Sequence, residues 1–409
     1  MPIVQSEELG LFPDSVLEAA AHPDPYPYYA ALLACRPIYR EQRLGLWVAL
    51  GAKAVSEILS SEFVRVRPPA EPVPAAITGA PAGDIFKRLV RMNDGPGHAT
   101  AKAAVGAYLA TFDPAQIAAI ARQDAARLAC ALVGGQRQGI DRFSFALPVQ
   151  AIAQMIGLPA DTATACATLI GDFVRCLSPL SGPEEIALSN KAADTLLATL
   201  RDELRQGSHG GLAMHAERLQ SLGIEDADIL LANLIGFMSQ SYEATAGLIG
   251  NTLLALARSP ELRRRAAGDD ALLHRVIEEV ARHDPPVHNT RRFVAQDEIV
   301  AGQAMKQSDQ ILVVLAAANR DPARYVRPHV FDPDRIDRES FTFGAGRHAC
   351  AGQAIATGIA AAGIQALMAH GLDIAALAGP VEYRRSINSL RIPIFGDLSE
   401  TITTPEPPQ

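Results

Sequence analysis

Apolar residues recur with a helical period over most of this chain. Runs rich in Ala, Leu and Ile at about 114–134, 143–156, 185–206, 226–258, 260–268, 271–283 and 352–370 predict helices. Strand-like pieces are short and fall in two places. One is 36–50, RPIYREQRLGLWVAL, with turn residues in its middle. The other is 291–315, where RRFV, DEIV and QILVVL are separated by turn-like residues. A last hairpin is expected at 381–395. Proline and glycine mark loops at 68–83 and 178–183 and in the segment 321–349. That last segment is long for a connection without regular structure, and such connections are usually functional. There is no internal repeat, and the tail ETITTPEPPQ is expected to fray. The pattern by itself predicts a large, mainly α chain with a minor β region.

Composition narrows the function classes. The chain has 409 residues, of which 48% are hydrophobic and 20% charged, ample for a large core and too apolar for disorder. The formal net charge is −8 and no basic run interrupts it, which argues against a nucleic-acid surface. The opening stretch MPIVQSEELGLFPDSVLEAAAHPDPYPYY has neither a basic n-region nor a long apolar run, so neither a signal peptide nor a membrane anchor is expected. The five cysteines are scattered and form no CxxC. That pattern predicts no disulfide framework or zinc site, and a cytoplasmic protein with reduced thiols. Cys35, Cys130, Cys166 and Cys176 sit among apolar and small residues and read as small hydrophobes.

Cys350 departs from that reading. In FTFGAGRHACAG, Phe341–Gly352, it is framed by Gly344, Gly346 and Gly352, with Arg347 and His348 just before it. A predicted helix follows at once. Unpaired N–H groups and the positive end of a helix dipole there favour an anionic sulfur. Gly344 and Gly346 allow a tight bulge and the approach of a flat group. Phe343 can shield the sulfur, and the basic side chains can meet carboxylates. The setting suits a thiolate ligand to haem; the bland alternative is a buried cysteine beside a glycine turn.

The same stretch resembles the haem-binding signature of the cytochrome P450 family, Phe-Gly-x-Gly-x-His-x-Cys-x-Gly, at residues 343, 344, 346, 348, 350 and 352. The resemblance implies that Cys350 is the proximal ligand of haem b iron, pushing electron density that favours O–O cleavage. It also implies one domain over 1–409 with the cytochrome P450 fold, the haem lying between distal and proximal helices. Other stretches match in order. In VIEEVARHDPP, Glu279 and Arg282 share a helix face at i, i+3, and the helix must end by Asp284–Pro285–Pro286. Taken alone this is an ordinary surface ion pair. The resemblance implies a buried structural pair, joined by Arg335 of FDPDR. It further implies contacts to the haem propionates from His98 and Lys102 in DGPGHATAK, from Arg292 in TRRFVAQD, and from His348. Lysine at 102, where the family often has arginine, keeps the charge but loses the bidentate fork. With DPYPYYAAL, LWVAL at 46–50 and ANRDPARY at 318–325, the resemblance runs from about residue 20 to residue 370.

The long helix near 226–258 carries GFMSQSYEATAGLIGN, and here the chain departs from the family. The family pattern, Ala-Gly-x-Asp/Glu-Thr-Thr, falls on Gln240, Ser241, Tyr242, Glu243, Ala244 and Thr245. The acid is kept as Glu243, with proton relay or helix support as its two readings. The alcohol of the usual threonine is missing at Ala244. Thr245 lies about 100° further round the helix and is no simple substitute. Positioned proton donors commonly contribute ~10²–10⁴-fold. Three accounts follow: substrate or water completes the relay, Ser241 or Gln240 substitutes, or the chemistry uses peroxide or no oxygen cleavage.

By position, the substrate would meet the loop near 65–90, the helix around 170–180, the distal helix and 286–291. Candidate contacts are Phe173, Val174, Leu177, Phe237, Gln240, Val287, His288 and Asn289. RVRPPAEPVPAAITGAPAGDIF reads as a mobile lid. No GxGxxG follows a strand, so electrons must come from a separate ferredoxin or flavodoxin with its reductase, docking near Arg347. The expected activity is monooxygenation of a small to medium apolar metabolite. Alternatives are a peroxide-driven haem enzyme and a non-catalytic haem-binding or sensing protein.

Overall fold

The structure, a computed structural model, describes residues 12–132, 137–177, 181–207, 211–384 and 390–396. The C-terminal tail, residues 178–180 and the centre of the 381–395 hairpin lie outside the described residues.

The chain begins with α1 (Tyr26–Cys35), β1 (Ile38–Glu41), β2 (Leu46–Ala49), α2 (Ala52–Ser60) and β3 (Val64–Arg65). A helical stretch follows: α3 (Pro81–Arg88), α4 (Pro96–Leu109), α5 (Pro114–Cys130), α6 (Arg137–Met155), α7 (Ala160–Phe173), α8 (Pro183–Gln206) and α9 (Leu212–Ser221). Next come α10 (Ala227–Arg258), α11 (Pro260–Ala266) and α12 (Asp270–His283). The strands β4 (Thr290–Val294), β5 (Glu298–Val300), β6 (Gln303–Met305) and β7 (Gln310–Val313) lead to α13 (Leu315–Ala318). After a long irregular segment come α14 (Gln353–Ala369) and the strands β8 (Glu382–Tyr383) and β9 (Pro393–Ile394).

Each helix read from the periodicity is present. Two bounds move: α5 ends at Cys130 and α6 begins at Arg137. Helices α1, α2, α3, α4, α7 and α9 were not legible as periodic runs. In α4, PGHATAKAAVGAYL, the apolar positions are mostly Ala and the run holds Gly and Thr, so neither face nor propensity stands out. Several starts have local causes. Asp113, Asp226 and Asp269 accept N–H bonds from the first turns of α5, α10 and α12.

Helix α10, 32 residues and roughly 48 Å long, is the spine. It packs on α6, α12 and α14, and α14 packs on α5. Residues 230–236 and 245–254 of α10 are buried all round, as expected of a core helix, whereas 239–244 are only half-buried. That window is where the helix borders a cavity. One sheet has the order β1-β2-β7-β4-β3, with only the β2–β7 pair parallel. Among the described residues no helix is long and apolar enough to cross a membrane.

The end of α12 anchors the long segment. Glu279 and Arg282 pair at 2.7 Å with both side chains fully buried, and Arg335 Nε lies 3.1 Å from Glu279 Oε2. Arg282 also donates to the carbonyls of Asn319 and Pro328, each at 2.9 Å. Asn319 in turn accepts from the Phe341 N–H at 2.7 Å and donates to Thr342 Oγ1 at 2.9 Å. The ion pair thus fixes the backbone from which the cysteine loop springs.

Candidate active site

The loop before α14 folds as two short 3₁₀ turns, Phe341–Phe343 and Gly346–His348. Gly344 and Gly346 adopt φ of 72° and 63°, the left-handed region that disfavours side chains. A Cβ on Gly346 would lie 2.8 Å from the Leu59 carbonyl oxygen, so glycine is required there for space as well. The Cys350 N–H donates to the Phe343 carbonyl at 2.7 Å, turning the thiol toward a cavity of about 800 Å³. Phe343 and Gly344 share that floor. Arg347 is half-buried and bonds the carbonyls of Ser61 and Val64. It therefore braces the loop.

A cationic cluster borders the same floor. The His98 and His348 rings stack with centroids 4.3 Å apart, and His348 Nε2 lies 3.0 Å from Asp94 Oδ1. Burial pushes the Asp94 carboxyl up, but bonds from His348 and the Val66 N–H outweigh it and hold the group below the usual carboxylate range. Lys102 Nζ donates to the Ala349 carbonyl at 2.6 Å, tying α4 to the cysteine loop. Burial lowers the pKa of Lys102, and the Cys350 charge opposes that shift. Arg292 donates to Thr290 Oγ1 at 3.1 Å and to the Arg291 carbonyl at 2.8 Å, and burial lowers its pKa to about 10. His98 Nε2 and Arg292 Nε are buried without a hydrogen-bond partner among the described residues. Buried, unpartnered donors are costly in an apolar setting, so this edge is short of acceptors.

Across the cavity stands the half-buried window of α10. Gln240, Ser241, Glu243, Ala244 and Thr245 all line it. Gln240 Nε2 donates to the Gly236 carbonyl and Ser241 Oγ to that of Met238, both at 2.8 Å. Both side chains thus spend donors on their own helix. Glu243 Oε1 lies 3.5 Å from Arg384 Nη1. Burial raises the Glu243 pKa, opposed by Arg384 and Arg91. Phe237, Val287 and Asn289 also line the cavity, Phe237 stacking on Tyr108. The loop after β3 contributes Pro68, Pro72 and Pro74. Arg67 clasps that loop through the Pro72 and Lys87 carbonyls and Asn93 Oδ1.

Two candidate substrate residues point elsewhere. Phe173 is fully buried at the end of α7 in the main core, and the cavity is lined by its successors Val174 and Leu177 instead. His288 is fully buried and bonds Tyr29 Oη through Nδ1 at 3.0 Å. Extended backbone alternates its side chains, so Val287 and Asn289 face the cavity and His288 faces the opposite way. Arg91, Asp94, Arg291 and Arg384 were missed. Asp94 and Arg91 sit in RMNDGPGH, directly before the histidine that was singled out.

These residues fit a haem. The thiol opens into the cavity, glycine backbone lines its floor, and the orphaned donors of His98 and Arg292 would find acceptors in the propionates. The comparisons agree. The family profile Cytochrome P450 matches residues 271–368. A cytochrome P450 of Xylella fastidiosa (strain 9a5c), 133B2, is 30% identical over 229 residues, which span 54% of this chain and only 57% of that one. The biotin biosynthesis cytochrome P450 of Bacillus subtilis (strain 168) is 26% identical over 348 residues, 81% of this chain and 85% of the relative. The crystal structure of CalO2 superposes with a TM-score of 0.75 at 24% identity, covering 93% of this chain and 96% of that one, a likeness of fold. With a cysteine loop, a buried Glu-x-x-Arg clamp and a distal helix in one arrangement, this chain has the fold of the cytochromes P450 and is similar to that family in sequence.

Proposed function

We propose that the protein is a haem-thiolate monooxygenase acting on a small to medium, mainly apolar metabolite in the cytoplasm. The observation that carries this reading is the opposition, across one cavity, of the Cys350 thiol and the half-buried window of α10. Cys350 would hold the iron of haem b. His98, Lys102, Arg292 and His348 would meet its propionates, and Phe343 and Gly344 would pack beside the sulfur. When bound, the haem supplies the centre for dioxygen chemistry, with the thiolate favouring O–O cleavage. In the overall reaction one oxygen atom enters a C–H bond and the other leaves as water, consuming two electrons and two protons.

The chain's own part is to place substrate and protons. Ala244 brings no hydroxyl, Ser241 has its one donor engaged, and Gln240 has one of its two amide donors engaged. These facts favour proton delivery through ordered water or a substrate hydroxyl beside Ala244. Glu243, its carboxyl pKa raised by burial, is the protonatable group of that face. Electrons would come from a separate ferredoxin or flavodoxin.

The test is reconstitution with a ferredoxin, its reductase, NAD(P)H and labelled dioxygen. A product carrying one labelled oxygen atom, formed in step with NAD(P)H consumption, is expected. Stable ligand complexes without product would sink the enzyme reading. Comparable turnover with hydrogen peroxide alone would favour the peroxide-driven alternative.

A further inference from the structure

We propose that the substrate carries a carboxylate and that Arg91 binds it on the α10 side of the cavity; this deepens, and rests on, the monooxygenase reading above.

Arg91 sits on a 3₁₀ turn, Val90–Met92, between α3 and α4. The turn is pinned to the spine helix. The Val90 N–H donates to Asn233 Oδ1 at 2.9 Å, while Asn233 Nδ2 donates to the Arg88 carbonyl at 3.0 Å. On the other side, Asn93 Nδ2 donates to the Leu89 carbonyl at 2.7 Å. The backbone of Arg91 is therefore held in place, and its side chain lines the cavity.

Three other cations of the cavity wall have hydrogen-bond acceptors, whereas Arg291, like Arg91, has none among the described residues. Arg67 has Asn93 and two carbonyls, Lys102 has Ala349, and Arg292 has Thr290 and the Arg291 carbonyl. No hydrogen bond or ion pair to Arg91 occurs among the described residues. Arg91 is an exposed residue whose side chain lines the cavity, and the protein around it lowers its pKa, opposed by the charges of Cys350 and Glu243. A guanidinium carries five donors and cannot shed its charge, so one that lines a cavity without an acceptor suits an oxyanion.

Three observations narrow that oxyanion. The charged neighbours that act on Arg91 are Cys350 and Glu243. Those acting on Arg292 are Asp94 and Arg347, and on His98 they include His348 and Asp94. Arg91 shares the Cys350 charge with Lys102 of the propionate cluster, but the Glu243 charge of α10 acts on Arg91 and not on Lys102, Arg292 or His98. The Glu243 carboxyl beside it disfavours a dianion, which selects a carboxylate over a phosphate monoester. The wall of the same cavity includes Val90, Val105, Phe237 and Leu248, which suits an apolar body behind the charged head.

The experiment uses the haem-loaded protein and pairs of probes: decanoate, 4-phenylbutyrate and cyclohexanebutyrate, each against its methyl ester, with decyl phosphate as the dianion. Binding is read by calorimetry and by the spin-state change of the ferric spectrum. At least one acid should bind about tenfold or more tighter than its ester, about 1.4 kcal/mol. Arg91→Leu should remove that preference while leaving ester binding unchanged, and Arg91→Lys should keep part of it. A panel in which no acid outbinds its ester overturns the proposal, and needs no variant. So does decyl phosphate binding tenfold tighter than decanoate. Loss of the preference in Arg291→Leu but not Arg91→Leu also overturns it. So would Arg91→Leu losing haem while keeping the preference, since Arg91 would then be a propionate contact. The carbon monoxide spectrum of the reduced protein tests the haem-thiolate reading separately, so the two failures are distinguishable.

Discussion

Removing the carboxylate of Glu279 should weaken both the fold and the haem site. The side chain is fully buried and accepts from Arg282 Nε at 2.9 Å, Arg282 Nη2 at 2.7 Å, the Asp332 N–H at 2.9 Å and Arg335 Nε at 3.2 Å. In Glu279→Ala those donors lose their acceptor, and two guanidinium groups, one fully buried and one 8% exposed, lose their counter-charge. Deleting one partner of a buried pair costs about 3–5 kcal/mol. Arg282 keeps its bonds to the Asn319, Pro328 and Val330 carbonyls, which places the loss toward the lower end of that range. Set against a typical stability of about 5–15 kcal/mol, that is a large fraction. Because Arg282 and Asn319 brace Phe341 and Thr342, haem content should fall as well. Urea denaturation followed by circular dichroism, with haem per protein measured on the same samples, reads both effects. Glu279→Gln, which keeps the volume, guards against a variant that does not fold. The exposed pair Arg264–Glu261 is the control, and Arg264→Ala should change stability by less than about 1 kcal/mol. A Glu279→Ala protein within about 1 kcal/mol of wild type, with full haem content, would refute the reasoning.

Gly346→Ala should destabilise by at least about 1–2 kcal/mol, since φ is 63° and the new Cβ would meet the Leu59 carbonyl at 2.8 Å; unchanged urea midpoint and haem content would contradict this. Ala244→Thr should raise product formed per NAD(P)H consumed for substrates without a hydroxyl, and equal or poorer coupling would count against the relay argument. Glu243 gives a pH signature. Its folded pKa lies above the ordinary 4.5, so its proton is held more tightly in the native state. That stabilisation is complete below pH ~4.5 and is lost as pH rises through the raised folded value. Glu243→Gln should therefore gain stability relative to wild type as pH rises through that window, and parallel stability–pH curves would exclude the effect. Asn233→Ala should cost about 1–3 kcal/mol by leaving the buried Val90 N–H without its acceptor, measured by the same denaturation.

What the sequence determined by itself was local and chemical. The long α10 and the amphipathic α12 announce themselves because large apolar side chains mark their buried faces. The cysteine loop is legible because glycine spacing encodes a backbone shape that other residues rarely adopt, and Gly344 and Gly346 have positive φ. Glu279 and Arg282 are paired by helix geometry alone. Nothing local, however, says that both are buried, or that Arg335 closes on them from 56 residues away. Only tertiary structure decided which side chains face the cavity. It turned His288 toward Tyr29 and sank Phe173 into the core, although both lie in segments that border the site. It also placed Arg91, which in sequence is one more charge beside a loop, on the wall of that cavity with Glu243. The physical reason is the same in each case. Periodicity and turn chemistry act over a few residues, whereas burial and the pairing of charges depend on elements brought together from opposite ends of the chain.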